Sequence, residues 1–343
     1  MFHMHDRQRL FPSFLQGMFL LTMALACLPG GMAEAQESAV ASRSEEVTDQ
    51  ELRNVWVSGL YSLELEQVKD AEQKFAFVIA RKPFWLARAF ENRAMVLERM
   101  GRRELANRDY GVALDLYNRD VAAHPGDINP LLRRAEYWDR KGNPEARVRD
   151  LSKAIALEPD NVSLLKERAH AWVGMQRPEQ ALTDLGHLIR LNPEESDPLL
   201  ARADLAQKLG NNAQAIADYT RAITLAPGSF QAHVSRAELY QKMGQNDPAL
   251  ADFDRAVNLQ PDAAPAHFSR GLILFGREHY QAAWEAFDKA VTLRSDQIEY
   301  LLRRGMAASR LGRSREALAD FDRILALQPG HPLATMYRKQ AGG

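Results

Sequence analysis

The sequence predicts an all-α solenoid of about eight stacked helix–turn–helix units, closed by a capping helix at its C-terminal end. Three observations carry this reading. Pro125, Pro159, Pro193, Pro227, Pro261 and Pro329 fall on a step of 34 residues, broken only at Ser295. Small residues keep the same step: Ala181, Ala215, Ala249, Ala283 and Ala317 form one column, and Gly210, Gly244 and Gly312 another, with Gly142 in phase. Within one period, residues 230–261, a helical stripe runs through Val234, Ala237, Leu239 and Tyr240. Gly244 to Asp247 interrupt it, a second stripe follows through Ala249, Phe253, Ala256, Val257 and Leu259, and Pro261 ends it. One such hairpin leaves an apolar face uncovered, so it requires neighbours.

The composition agrees. The chain has 343 residues, 46% apolar and 26% charged, which is too polar for a multispan membrane protein. A formal net charge of −1 argues against a nucleic-acid surface.

In chain order, residues 1–35 read as an export signal. Arg7 and Arg9 precede an apolar run from Met18 to Leu28, and Ala33-Glu34-Ala35 forms a small-x-small cleavage site. The alternative is a lipid anchor at Cys27, the single cysteine, preceded by Leu25 and Ala26. Either route implies export, and we expect a periplasmic location. Residues 36–50 read as a flexible linker, with Thr48 and Glu51 placed as a capping box at its end.

The solenoid is expected over 51–343. Its repeats lie near 52–85, 87–120, 128–161, 162–195, 196–229, 230–263, 264–297 and 298–331, followed by a cap over 332–340. In the first, Ala71 and Phe75 mark the second helix and Pro83 its end. The second repeat runs seven residues long, to Asp127. Seven residues are about two helical turns, so its second helix can lengthen without turning its apolar face away. Leu333, Met336 and Tyr337 give the cap its helical spacing.

A 34-residue helix–turn–helix period with Ala237, Ala249, Phe253 and Pro261 at its eighth, twentieth, twenty-fourth and thirty-second places resembles the tetratricopeptide repeat. The resemblance covers residues 52–340 and implies a right-handed superhelix that binds protein or peptide segments. It also implies that first helices line a concave face through places two, five, nine, twelve and thirteen. On that basis the expected partner-binding residues are Val234, Glu238, Lys242, Phe268, Leu272, Phe275, Leu302 and Met306. The apolar members either meet a partner or pack between repeats. Glu136, Arg140, Asp204 and Lys208 extend a mixed-charge zone. Relatives that grip a peptide carboxylate use asparagine at place nine. Here that place holds Leu60, Met95, Glu136, His170, Asp204, Glu238, Leu272 and Met306, so no such clamp is assigned.

One column departs from the family pattern. Place seven is Arg93, Arg134, Arg168, Arg202, Arg236, Arg270 and Arg304. Sixteen residues later stand Asp109, Asp150, Asp184, Asp218, Asp252 and Asp320, with Ala286 replacing the partner of Arg270. Because acid travels with base, these are expected to be structural ion pairs, not a ladder for an anionic ligand.

Catalytic motifs are missing. There is no His-Glu-x-x-His, phosphate-binding glycine loop or glycine-flanked serine. His233 and His267 share a place in adjacent repeats, yet no third ligand accompanies them, so no metal or cofactor is expected. The tryptophans, including Trp85, read as packing. The functional expectation is a non-catalytic scaffold or adaptor of the bacterial envelope. A self-assembling scaffold is the alternative, and an enzyme is less favoured.

Overall fold

The computed structural model describes residues 47–81 and 86–342. The expected export signal, Cys27, the linker up to residue 46, Pro83 and Trp85 lie outside the described residues. By contact the chain divides into two units, 1–54 and 55–343. In the first, Thr48 and Glu51 form the capping box: Glu51 accepts from the Thr48 backbone N–H at 2.7 Å, and the Thr48 hydroxyl accepts from the Glu51 N–H at 3.2 Å. The helix therefore starts at Asp49, two residues inside the stretch read as linker.

The described residues are helical throughout, without strands. The helices are α1 (Asp49–Glu64), α2 (Val68–Ala80), α3 (Leu86–Arg99), α4 (Arg103–Ala123), α5 (Ile128–Arg140), α6 (Pro144–Leu157), α7 (Val162–Gly174), α8 (Pro178–Leu191) and α9 (Ser196–Lys208). They continue with α10 (Asn212–Leu225), α11 (Phe230–Lys242), α12 (Asn246–Leu259), α13 (Ala264–Gly276), α14 (Tyr280–Leu293), α15 (Ile298–Arg310), α16 (Ser314–Leu327) and α17 (Pro332–Gly342). None is long and apolar enough to cross a membrane.

In the unit 55–343 each helix packs on its partner in the hairpin and on the first helix of the next, which makes a solenoid. Asp127, Asn143, Asn161, Asn211 and Ser229 cap helices by accepting a backbone N–H two or three residues on. The turn inside each hairpin demands a left-handed residue. Gly101, Gly142, Gly210, Gly244 and Gly312 supply it with φ between 64° and 81°, while Glu66, Gln176 and Glu278 adopt it at 57–63°.

The core is one large side chain per hairpin, at place twenty-four. Phe75, Tyr219, Phe253, Phe287 and Phe321 are at most 1% exposed. Each faces a small residue at place eight. Gly271 and Gly305 leave no room for more: a Cβ at Gly271 would lie 2.6 Å from the Phe287 ring, and one at Gly305 2.7 Å from Phe321. Gly271→Val should therefore destabilise by roughly 1–3 kcal/mol, because overpacking forces backbone or rotamer shifts. Thermal melting checks this, and Gly276→Val, with nothing within 4 Å of the added Cβ, is the control for valine in a helix.

The seven-residue extension is helix. α4 spans 21 residues against 14 for the second helices that follow. The cap docks: Ala334 is fully buried and Tyr337 stacks on Phe321 with ring centroids 5.8 Å apart.

Candidate functional site

Two sets of charged side chains repeat along the solenoid. The first is the arginine seam between the two helices of each hairpin. Arg93, Arg134, Arg168, Arg202, Arg236 and Arg304 each place Nε and Nη2 on the two carboxylate oxygens of Asp109, Asp150, Asp184, Asp218, Asp252 and Asp320, at 2.6–2.9 Å. The aspartates are 2–5% exposed. The fork geometry gives each oxygen a charged donor, which a buried carboxylate requires. Hydrogen bonding to Asp252 raises the Arg236 pKa above its ordinary value.

The seam has a second half that the sequence reading missed. Arg134, Arg168, Arg236 and Arg304 point Nη1 backwards to Asn118, Ser152, Thr220 and Asp288, each sixteen residues earlier and in the preceding repeat. Arg270, without its forward aspartate, turns to Asp254 at 2.5 Å. Arg338 in the cap pairs with Asp322 in the same way. The recurrence of Asp254, Asp288 and Asp322 at the 34-residue step was the available sign.

His233 is absorbed into this seam. Its Nδ1 lies 3.0 Å from Asp252 Oδ1 and its Nε2 3.3 Å from the Pro227 carbonyl. His267 faces the Pro261 carbonyl at 3.0 Å. No metal-holding cluster occurs among the described residues. At the start of α17, His331 Nδ1 accepts from the Ala334 N–H at 3.2 Å.

The second set lies on the first helices. Of the expected partner-binding residues, Glu238 and Lys242 are exposed. Neither has an ion-pair partner among the described residues, and crowding by neighbours pushes the Glu238 carboxyl up from its ordinary value. Val234 is half-buried against Ala237, Ala249, Phe253 and Ile273. Phe268, Leu272 and Phe275 are half-buried together around Leu274, Ala283, Phe287 and Ala307. Phe268 sits 4.6 Å from the Tyr300 ring and 5.6 Å from Phe287, so its faces are largely used within the fold. Leu302 falls on the packing side of the two readings. It is 3% exposed, in the core with Leu301, Phe321 and Ile324, because α17 and α16 close over it. Met306 is half-buried beside it. The apolar zone thus packs between repeats while its half-buried members keep part of their surface, and the fully exposed expected residues, Glu238 and Lys242, are polar.

A third arrangement occurs where the extended α4 shifts the register. Glu91, 1% exposed, accepts from Arg140 Nε and, at 2.9 Å, Nη2, and from the Tyr117 hydroxyl at 3.1 Å. Arg88 donates to Glu136 at 3.1 Å beside it. These contacts join α3 directly to α5.

A family profile described as tetratricopeptide repeat matches residues 166–230, 200–242, 234–298 and 302–338. No curated protein matches the chain. Among solved structures, the C-terminal part of a TPR repeat-containing protein from Cytophaga hutchinsonii is 14% identical, with a TM-score of 0.57, covering 71% of this chain and 97% of its own. A tetratricopeptide repeat protein from Parabacteroides merdae is 19% identical, with a TM-score of 0.42 over 75% of this chain and 99% of its own. YrrB, described as a TPR protein with an unusual peptide-binding site, is 18% identical, with a TM-score of 0.49 over 55% of this chain and 97% of its own. At these identities the likeness is one of fold.

Proposed function

The chain is a tetratricopeptide repeat protein, and from that premise we propose that it binds a segment of a partner protein along the face made by its first helices. The family serves as a scaffold for protein–protein interaction and is generally non-catalytic. The observation that carries the finer reading is the free polar chemistry of α9 and α11. Lys208, Glu238 and Lys242 are exposed on consecutive first helices and have no ion-pair partner among the described residues. Unpaired charges on one face give register and specificity to a docked segment more than raw affinity.

We place this adaptor in the envelope of a bacterium, after export. The support is the sequence of residues 1–35, with Arg7 and Arg9 ahead of the apolar run, and Cys27 as the alternative anchor. The docked α17 favours partner binding over end-to-end assembly. Its eighth place, small in every repeat, is Lys339, which would hold off a further second helix.

Affinity capture from envelope extract tests the proposal, comparing the natural chain with Glu238→Lys/Lys242→Glu. Both side chains are exposed, so the variant should keep its melting temperature and lose its partners. Partners retained at full yield would move the binding site off this face.

A further inference from the structure

Two adjacent repeats carry histidine at place four, His233 and His267, where the third, fourth, fifth and eighth carry Leu131, Leu165, Leu199 and Leu301. In the first of the two, the histidine and the arginine of place seven share one carboxylate. Asp252 Oδ1 lies 3.0 Å from His233 Nδ1 and 2.7 Å from Arg236 Nη2, and Oδ2 lies 2.7 Å from Arg236 Nε. The His233 and Asp252 side chains are 8% and 6% exposed, so this set is sealed.

The next repeat keeps each of these parts except the acid. His267 Nε2 faces the Pro261 carbonyl at 3.0 Å, as His233 Nε2 faces that of Pro227 at 3.3 Å. Its Nδ1 has no hydrogen-bond partner among the described residues. Ala286 stands in the place of Asp252. Arg270 gives Nε to Asp254 on α12, and its side chain is 28% exposed against 17% for Arg236, which opens this seam to solvent. Burial, then the charges of Lys289 on α14 and of Arg270, hold His267 below its ordinary pKa, against the pull of the Pro261 carbonyl. Arg304 shows that an arginine at place seven serves two carboxylates at once, with Nη1 on Asp288 and the Nε–Nη2 fork on Asp320. Arg270, with Asp254 alone, has capacity for a second.

We propose that this repeat binds a carboxylate from outside the fold, held by His267 Nδ1 and Arg270 as His233 and Arg236 hold Asp252, with Lys289 adding attraction. The ligand is a carboxylate group, carried by a small anion or by another chain. With Nε2–H already given to Pro261, His267 donates from Nδ1 only as an imidazolium, so binding takes up a proton and tightens as the pH falls through the His267 pKa.

The test follows the imidazole resonances of the full chain through pH titrations in acetate and in chloride at equal ionic strength. Acetate should raise the His267 midpoint by about one pH unit, at the low end of what an adjacent opposite charge gives. By linkage, acetate then binds the protonated form about ten-fold tighter than the neutral one. His233, already served by Asp252, is the internal control and should not respond. Ala286→Asp supplies the acid from within, so it should end the acetate response and raise the melting temperature. Arg270→Gln should weaken the response. Two acetylated peptides separate the sources: amidated Ala-Ala-Glu-Ala-Ala, and Ala-Ala-Ala with a free terminal carboxylate. A larger His267 shift with either peptide than with acetate at equal concentration assigns the carboxylate to another chain, and a larger shift with acetate assigns a small anion. A His267 midpoint unmoved by acetate and both peptides, an equal response to chloride or from His233, or a response that survives in Ala286→Asp overturns the proposal.

Discussion

Arg236→Ala should lower stability by about 3 kcal/mol, the lower end of the range for breaking a buried pair by removing one partner. It removes both bonds to Asp252 and the backward bond to Thr220. Asp252, 5% exposed, would keep only His233 at Oδ1, so the loss is partly compensated. For a domain of this size the melting temperature should fall by roughly 6–10 °C. Arg236→Lys should recover a fraction, because an ammonium keeps the charge and loses the fork. An unchanged melting curve for the alanine variant would reduce the seam to ornament.

Arg140→Ala should have a comparable effect of a different kind, about 3–5 kcal/mol. It strands the Glu91 carboxylate, 1% exposed, with the Tyr117 hydroxyl as its remaining hydrogen-bond donor. Glu91–Arg140 fastens the second repeat to the third across the extended α4, where the regular stacking register is interrupted. Solenoid stability is close to a sum of repeat and neighbour terms, so weakening this joint should separate the residues ahead of α5 from the rest. Amide hydrogen exchange should show α3 and α4 opening earlier than α7 to α16. The double variant Glu91→Leu/Arg140→Met should regain much of the loss, since matched apolar groups often replace a buried ion pair without cost. Uniform exchange across both segments in Arg140→Ala would contradict this account.

How much of this was legible beforehand follows from what repeats. The hairpins were readable because proline, glycine and alanine recur at one step, and each answers a local backbone demand. Arg236 and Asp252 were readable because arginine fills one column in seven of the eight repeats and aspartate fills the other in six. The backward contacts were harder, since Asn118, Ser152, Thr220 and Asp288 share a role without sharing a type. Burial depth on the first helices was not legible. Spacing tells which way Leu302 and Met306 face, but not that α16 and α17 cover the former more fully. The Glu91–Arg140 bond was hidden for a further reason: it spans 49 residues and obeys no period.

The two-way arginine contacts bear on how such a chain changes length. Every rung from Arg168 onward reaches no farther than the adjoining hairpin. Excising a whole 34-residue block between α7 and α16 would bring equivalent places together, and the shortened row would keep a forward aspartate wherever it had one. Growth and loss by unit duplication are therefore open to the C-terminal run. The stretch from α3 to α5 is not interchangeable in this way, because its fastening belongs to one junction alone.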